Sequence, residues 1–120
     1  MKNYEVTINE EAIYTAVYNI TANAAAQRGD DAHVATEDNK GVLKEFLEKG
    51  KVFIGPALGR YGSGLRYSMP ASWNFKDEVD ERVHAFLVDY VMASWMGLVA
   101  EVEKPVLELL SILNKRNKPL

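Results

Sequence analysis

A chain of 120 residues suits one domain and is long enough to bury a core without disulfide or metal staples. It has no cysteine, which excludes disulfides, thiolate metal ligands and a cysteine nucleophile, and its net charge of -3, with acids and bases interspersed, excludes a global field for holding nucleic acid. No apolar run approaches the ~20 residues of a membrane span, and Met1-Lys2-Asn3-Tyr4-Glu5 lacks the apolar stretch of a secretory signal, so the expectation is a soluble protein kept inside a cell or built into a particle assembled there.

Tyr4, Val6 and Ile8 alternate with Glu5 and Thr7, the pattern of a short half-buried strand over 4–8. Asn9 then supplies a helix N-cap, with Glu10 and Glu11 in the first turn, where the helix dipole favours negative charge. Ile8 and Ile13 stand at the two positions of a hydrophobic staple around that cap. Ile13, Ala16, Val17, Ile20 and Ala24 continue a helical stripe to Gln27-Arg28, and Gly29 is the expected stop.

After a loop over 30–35, Thr36 is the next N-cap, followed by Glu37 and Asp38, and Val42, Leu43, Phe46 and Leu47 form an apolar stripe. The segment 51–58 admits two readings. Val52-Phe53-Ile54 between Gly50 and Gly55-Pro56 fits a buried strand, whereas Phe53, Ala57 and Leu58 extend the helical period with a bend at Pro56. The helical reading, irregular to about Leu58, is preferred.

The segment 59–74 is expected to protrude as a hairpin or loop. Gly59, Gly62, Ser63 and Gly64 precede Leu65, Tyr67 and Met69, which alternate with Arg66 and Ser68 as a second strand would. Strands this short are marginal alone, so 4–8 is expected to pair with 65–69. Asn74 is read as the cap of the longest helix, whose stripe is Val79, Val83, Phe86, Leu87, Tyr90, Val91, Trp95 and Leu98, opposite Glu78, Glu81, Arg82, Asp89 and Ala93. A fourth helix is expected from about 101–105, burying Val106, Leu109, Leu110 and Leu113, before the basic tail 115–120. The fold class is therefore mainly α: a single four-helix bundle-like domain over 1–120 with a small two-stranded β element.

Candidate chemistry is sparse. Glu81 and His84 have the Glu-x-x-His spacing of di-iron carboxylate bundles, but that site needs a second copy, and His33 has no glutamate three residues before it. The simpler reading is a surface histidine four residues after Asp80. Arg28-Gly29-Asp30 spells the tripeptide that integrins read, yet it fits a helix end between two solvated charges. Gly59-Arg60-Tyr61-Gly62-Ser63-Gly64 precedes a strand-like run and has no following Lys-Ser/Thr pair, so it is a connection and not a phosphate loop. There is no Gly-x-Ser-x-Gly and no Ser/His/Asp spacing for nucleophilic catalysis. Asp77, Glu78, Asp80 and Glu81 open a helix, where acids stabilise it without further function. No catalytic, cofactor-binding or metal residue is expected. The residues expected at interfaces are Arg60, Tyr61 and Arg66 around the glycine-rich connection, Trp73 before the long helix, and Lys115, Arg116 and Lys118 in the tail. Three tail charges would give only weak, salt-sensitive contact with nucleic acid.

The order of these features resembles the small helical proteins encoded in structural modules of phages and prophages of Bacteroidales-type bacteria. The matching marks are Thr36-Glu37-Asp38 opening the second helix, Ser94-Trp95 near the end of the third, and the closing Asn114-Lys115-Arg116-Asn117-Lys118-Pro119. A helical bundle with an inserted β element is also similar to the head–tail connector (adaptor) proteins of tailed phages. The resemblance implies a non-enzymatic virion component, assembled in the host cytoplasm as a homo-oligomeric ring at the neck and touching the portal or tail proteins. It implies no cofactor, no membrane and no sequence-specific nucleic acid. Gly50, Gly55 and Pro56 depart from the smooth helix such a protein would have there. A head-to-tail ring uses two different patches, and these are expected on the Gly59–Gly64 hairpin and on the exposed face of the second helix with its neighbouring loop. The alternative is a cytoplasmic helical interaction or regulatory module forming a small oligomer.

Overall fold

The computed structural model describes residues 2–28, 34–58 and 65–97. In chain order these form strand β1 (Lys2–Glu5), helix α1 (Glu10–Arg28), a 3-10 turn (Glu37–Asn39), helix α2 (Lys40–Leu58), strand β2 (Arg66–Met69) and helix α3 (Lys76–Met96). The fold is mainly helical with a two-stranded antiparallel sheet. Three of the expected α-helices lie among the described residues. The helix expected from 101–105 onward lies outside them, as do Gly29, the glycine-rich 59–64 and the tail 115–120.

The two strands pair as expected, but the first is shorter and earlier than the alternation suggested. The register sets Lys2 opposite Met69, Asn3 opposite Ser68, Tyr4 opposite Tyr67 and Glu5 opposite Arg66. The Tyr4 and Tyr67 rings stack, with centroids 5.7 Å apart, a cross-strand aromatic pair of the kind that holds short ladders together. One further backbone bond, Val6 N–H to the Leu65 carbonyl at 2.8 Å, extends the pairing. The chain then leaves the sheet because the Thr7 amide donates to Asp80 Oδ1 of α3 at 3.1 Å. Leu65, Tyr67 and Met69 are all buried, so one face of the 65–69 stretch, within the segment expected to protrude, belongs to the core.

α1 opens as its sequence predicts: the Ala12 amide donates to Asn9 Oδ1 at 3.1 Å, the side-chain cap of an orphan helical N–H. Its buried face differs from the expected one. Ile13 and Val17 are buried, but Ile20 is 42% exposed and Ala24 lies on the surface, while Tyr14, Thr21 and Ala25 turn inward. Thr21 can occupy a buried place because its hydroxyl is satisfied. Oγ1 donates to the Val17 carbonyl at 2.8 Å and accepts from the Ala35 amide at 3.0 Å. One hydroxyl thereby ties the α1–α2 connection to α1 and removes the penalty of a buried polar group.

Thr36 starts the next element, its amide donating to Asn39 Oδ1 at 3.0 Å. α2 then runs unbroken through 51–58, so the strand alternative for that segment falls. Pro56 lies inside the helix near its end, and its ring nitrogen has no N–H to donate to the preceding turn. The glycine at position 50, a seeming interruption, is a packing feature. It is buried, and a Cβ added there would meet Tyr90 Cδ1 at 3.0 Å and Leu87 Cδ2 at 3.2 Å.

α3 is the central element and packs against both α2 and α1. Its stripe holds from Val79 to Val91, with Val88 also buried; Trp95 packs against the core half-buried, and Leu98 lies outside the described residues. The N-cap is Phe75, without a side-chain hydrogen bond, and not Asn74. The aromatic ring, buried to 8% exposure, takes the position the sequence would give to a polar cap. The helix ends at Gly97, whose φ of 78° is the left-handed conformation that glycine adopts cheaply, with its amide 3.2 Å from the Ser94 carbonyl.

Candidate interaction surface

α2 buries Leu43, Leu47, Gly50, Ile54 and Leu58. These fall at i, i+4, i+7, i+11 and i+15, one stripe of a helix turning 100° per residue. The opposite stripe is Val42, Glu45, Lys49, Val52 and Pro56, and every one of these residues is exposed. Val42 retains 44% of its surface and Val52 62%. Phe53 flanks this stripe at 45% exposure. One side of its ring is held by α3, stacked on Phe86 at 6.2 Å and tilted against Tyr90 at 5.9 Å; the remainder faces outward. Single exposed apolar residues are ordinary; here Val52 and Phe53 are neighbours in sequence, and Val42 stands about 15 Å further back along the same helix, beyond Glu45 and Lys49. The expectation that Val42 belongs to the buried stripe is therefore corrected. Once burial identifies 43-47-50-54-58 as the inner face, Val42, Val52 and Phe53 are left over.

This face is presented on a braced helix. Lys51 Nζ donates to Glu10 Oε1 at 2.7 Å and to Glu48 Oε1 at 3.1 Å, and Lys40 Nζ to Glu11 Oε1 at 2.6 Å. Two of these three contacts join α2 to α1. The hydrogen bond from Lys51 holds the Glu10 carboxyl below the usual carboxylate range. Burial works against the charge of Lys51, but its bonds to Glu10 and Glu48 prevail and raise it. A hollow of about 450 Å³ beside this network is lined by Glu5, Glu10, Glu48, Lys51 and apolar neighbours. Its cation is already matched by two carboxylates, so the hollow offers no free positive charge to a ligand.

Of the interface residues singled out from the sequence, Arg66 and Trp73 are among the described residues. Arg66 sits in β2, half-buried, and its Nε is buried without a hydrogen-bond partner among the described residues. Trp73 is half-buried against the core, its ring 5.6 Å from that of Phe75 and tilted by 43°. Arg60, Tyr61, Lys115, Arg116 and Lys118 lie outside the described residues.

The Asp80–Glu81–His84 group lines a shallow hollow with Thr7, Lys76 and Asp77. Asp80 has structural work there, accepting from the Thr7 amide at 3.1 Å and from Lys76 Nζ at 2.6 Å. Among the described residues no group of three or more histidines, cysteines or acids is placed to hold a metal ion. The buried hydroxyls of Tyr14, Tyr18 and Tyr67, invisible to motif reading, have no hydrogen-bond partner among the described residues.

No family model matches this chain, and neither the curated proteins nor the solved structures contain a match.

Proposed function

We propose that this chain is a non-enzymatic structural subunit that acts through protein–protein contacts, in its most specific form a head–tail connector (adaptor) subunit at the neck of a phage particle. The observation that carries the reading is the outer face of α2. Val42, Val52 and Phe53 stay in water on a helix whose inner face is fully used and which ion pairs brace against α1. A contact protein needs this combination of a rigid body and an apolar surface left over after folding. The neck assignment draws on the order of sequence features from Thr36-Glu37-Asp38 through Ser94-Trp95 to the basic tail. In that setting the partners are further copies of this chain and portal or tail proteins, and the place of action is the virion.

Electron microscopy of particles carrying a labelled copy tests this reading. Label at the neck supports it; particles without label overturn it. A gene beside portal, capsid or tail genes supports it as well, and a gene remote from all virion loci counts against it.

A second reading, a small helical oligomer serving as an interaction or regulatory module, is favoured by one observation. Three of the five large apolar residues exposed among the described residues lie on α2, with only Ile20 and Met96 elsewhere. A two-fold dimer needs one contact face, whereas a head-to-tail ring needs two.

A further inference from the structure

We propose that the outer face of α2 docks on the same face of a second copy of this chain, antiparallel, around a two-fold axis at the level of residue 47. The proposal rests on the reading of this chain as a contact protein and names the occupant of its exposed face.

The argument is the order of residues along the exposed stripe. Val42, Glu45, Lys49 and Val52 are spaced by three, four and three residues, the alternation of a helix–helix seam. When two such helices run antiparallel, a residue meets the partner residue an equal distance on the other side of the axis. With the axis at 47, Glu45 of one copy faces Lys49 of the other, and Val42 faces Val52. Each pairing occurs twice by symmetry. The stripe is thus self-complementary: opposite charges meet at its centre and valine meets valine at both ends. Parallel pairing in register would instead set Glu45 on Glu45 and Lys49 on Lys49, which like-charge repulsion opposes.

A second observation points the same way. Glu45 and Lys49 stand four residues apart with the acid first, the favourable order for an intrahelical ion pair. Among the described residues neither takes part in an ion pair or side-chain hydrogen bond, although Lys40, Lys51, Lys76 and Arg82 all do. Both charged groups are therefore free for a partner. Phe53 beside the stripe adds apolar surface to the same contact.

A two-fold contact of this kind closes at two copies. A ring built from the same subunit needs a different contact in addition.

Charge exchange tests the register, read by sedimentation equilibrium of the full-length chain. The wild type is expected at twice its 13.5 kDa mass at the higher concentrations. Glu45→Lys and Lys49→Glu each set like charges against each other twice and are expected to weaken the dimer about tenfold. The double exchange E45K/K49E restores opposite charges and is expected to return the dimer to near wild-type strength. Val52→Asp, at a side chain 62% exposed on the rim of the hollow beside Lys51, should abolish the dimer with helicity unchanged by circular dichroism. A monomeric wild type, single exchanges without effect, or a double exchange no better than the singles each overturn the proposal. A monomeric wild type that is still found in phage particles overturns the two-fold contact and leaves the connector reading standing.

Discussion

Gly50 of α2 lies against the ring of Tyr90 of α3, so close that a single added carbon would sit 3.0 Å from the ring. The two central helices of this fold approach each other at a position where any side chain would intrude. Leu87, fully buried, closes the same gap at 3.2 Å. The ordinary gain of about 1 kcal/mol for replacing a mid-helix glycine by alanine is therefore opposed here by overpacking of about 1–3 kcal/mol. Gly50→Val is expected to destabilise the protein by about 2 kcal/mol or more. Gly41, with nothing within 4 Å of an added Cβ, provides the contrast: Gly41→Ala should be neutral or stabilising by up to about 1 kcal/mol. Urea denaturation of the two variants measures both effects, and equal destabilisation by both would refute the packing account.

Thr21 joins α1 to the connection that leads into α2. In Thr21→Val the shape is kept and the acceptor for the buried Ala35 amide is lost. Stranding that N–H is expected to lower stability by about 1–3 kcal/mol. Hydrogen exchange gives a local readout: the Ala35 amide should lose protection in the variant beyond the change in global stability.

Tyr67 makes a prediction about pH. Its hydroxyl is buried without a partner among the described residues, and burial, with Asp80 and Tyr4 adding, pushes its pKa up to about 12. The unfolded tyrosine ionises near pH 10, so between about pH 10 and 12 the unfolded chain releases a proton that the folded chain keeps. Stability contributed by the neutral phenol is complete below pH 10 and is lost as pH rises through this window. Tyr67→Phe removes that alkaline loss. At pH 7 it should be neutral or slightly stabilising, because the deleted hydroxyl has no bond to lose. Glu10 acts on the acid side with the opposite sign. Its lowered pKa gives a contribution present above the ordinary carboxylate range and lost as pH falls through the folded value. Thermal denaturation of wild type and Tyr67→Phe from pH 3 to 11 checks both limbs; identical alkaline limbs would refute the role of Tyr67.

The sequence made the helices legible where periodicity was strong. The stripe of α3 from Val79 to Val91, the Asn9 cap and the continuation of α2 to Leu58 all follow from spacing and local chemistry. The strand pairing was legible too, but its end was not, because the Thr7 amide is captured by Asp80, 73 residues away. Periodicity also misplaced Ile20 and Thr21. Hydropathy favours the isoleucine inside, and only the contact with Ala35 explains why the threonine is there. Phe75 at the cap of α3 shows the same limit, since aromatic packing replaced the expected polar cap. The interaction face was expected on the second helix without its residues. They emerge only after the inner face is known, because Val42, Val52 and Phe53 are defined by what the core leaves out.

The central proposal is that this chain acts in a phage particle, by contact through the outer face of α2. The most direct measurement is the amount of full-length protein retained in purified phage particles, wild type against Val52→Asp, with equal helicity of the two confirmed beforehand. The account predicts that the wild type is retained at a fixed stoichiometry and that Val52→Asp is lost from the particles. Wild type absent from the particles, or Val52→Asp incorporated to the same level, would contradict it.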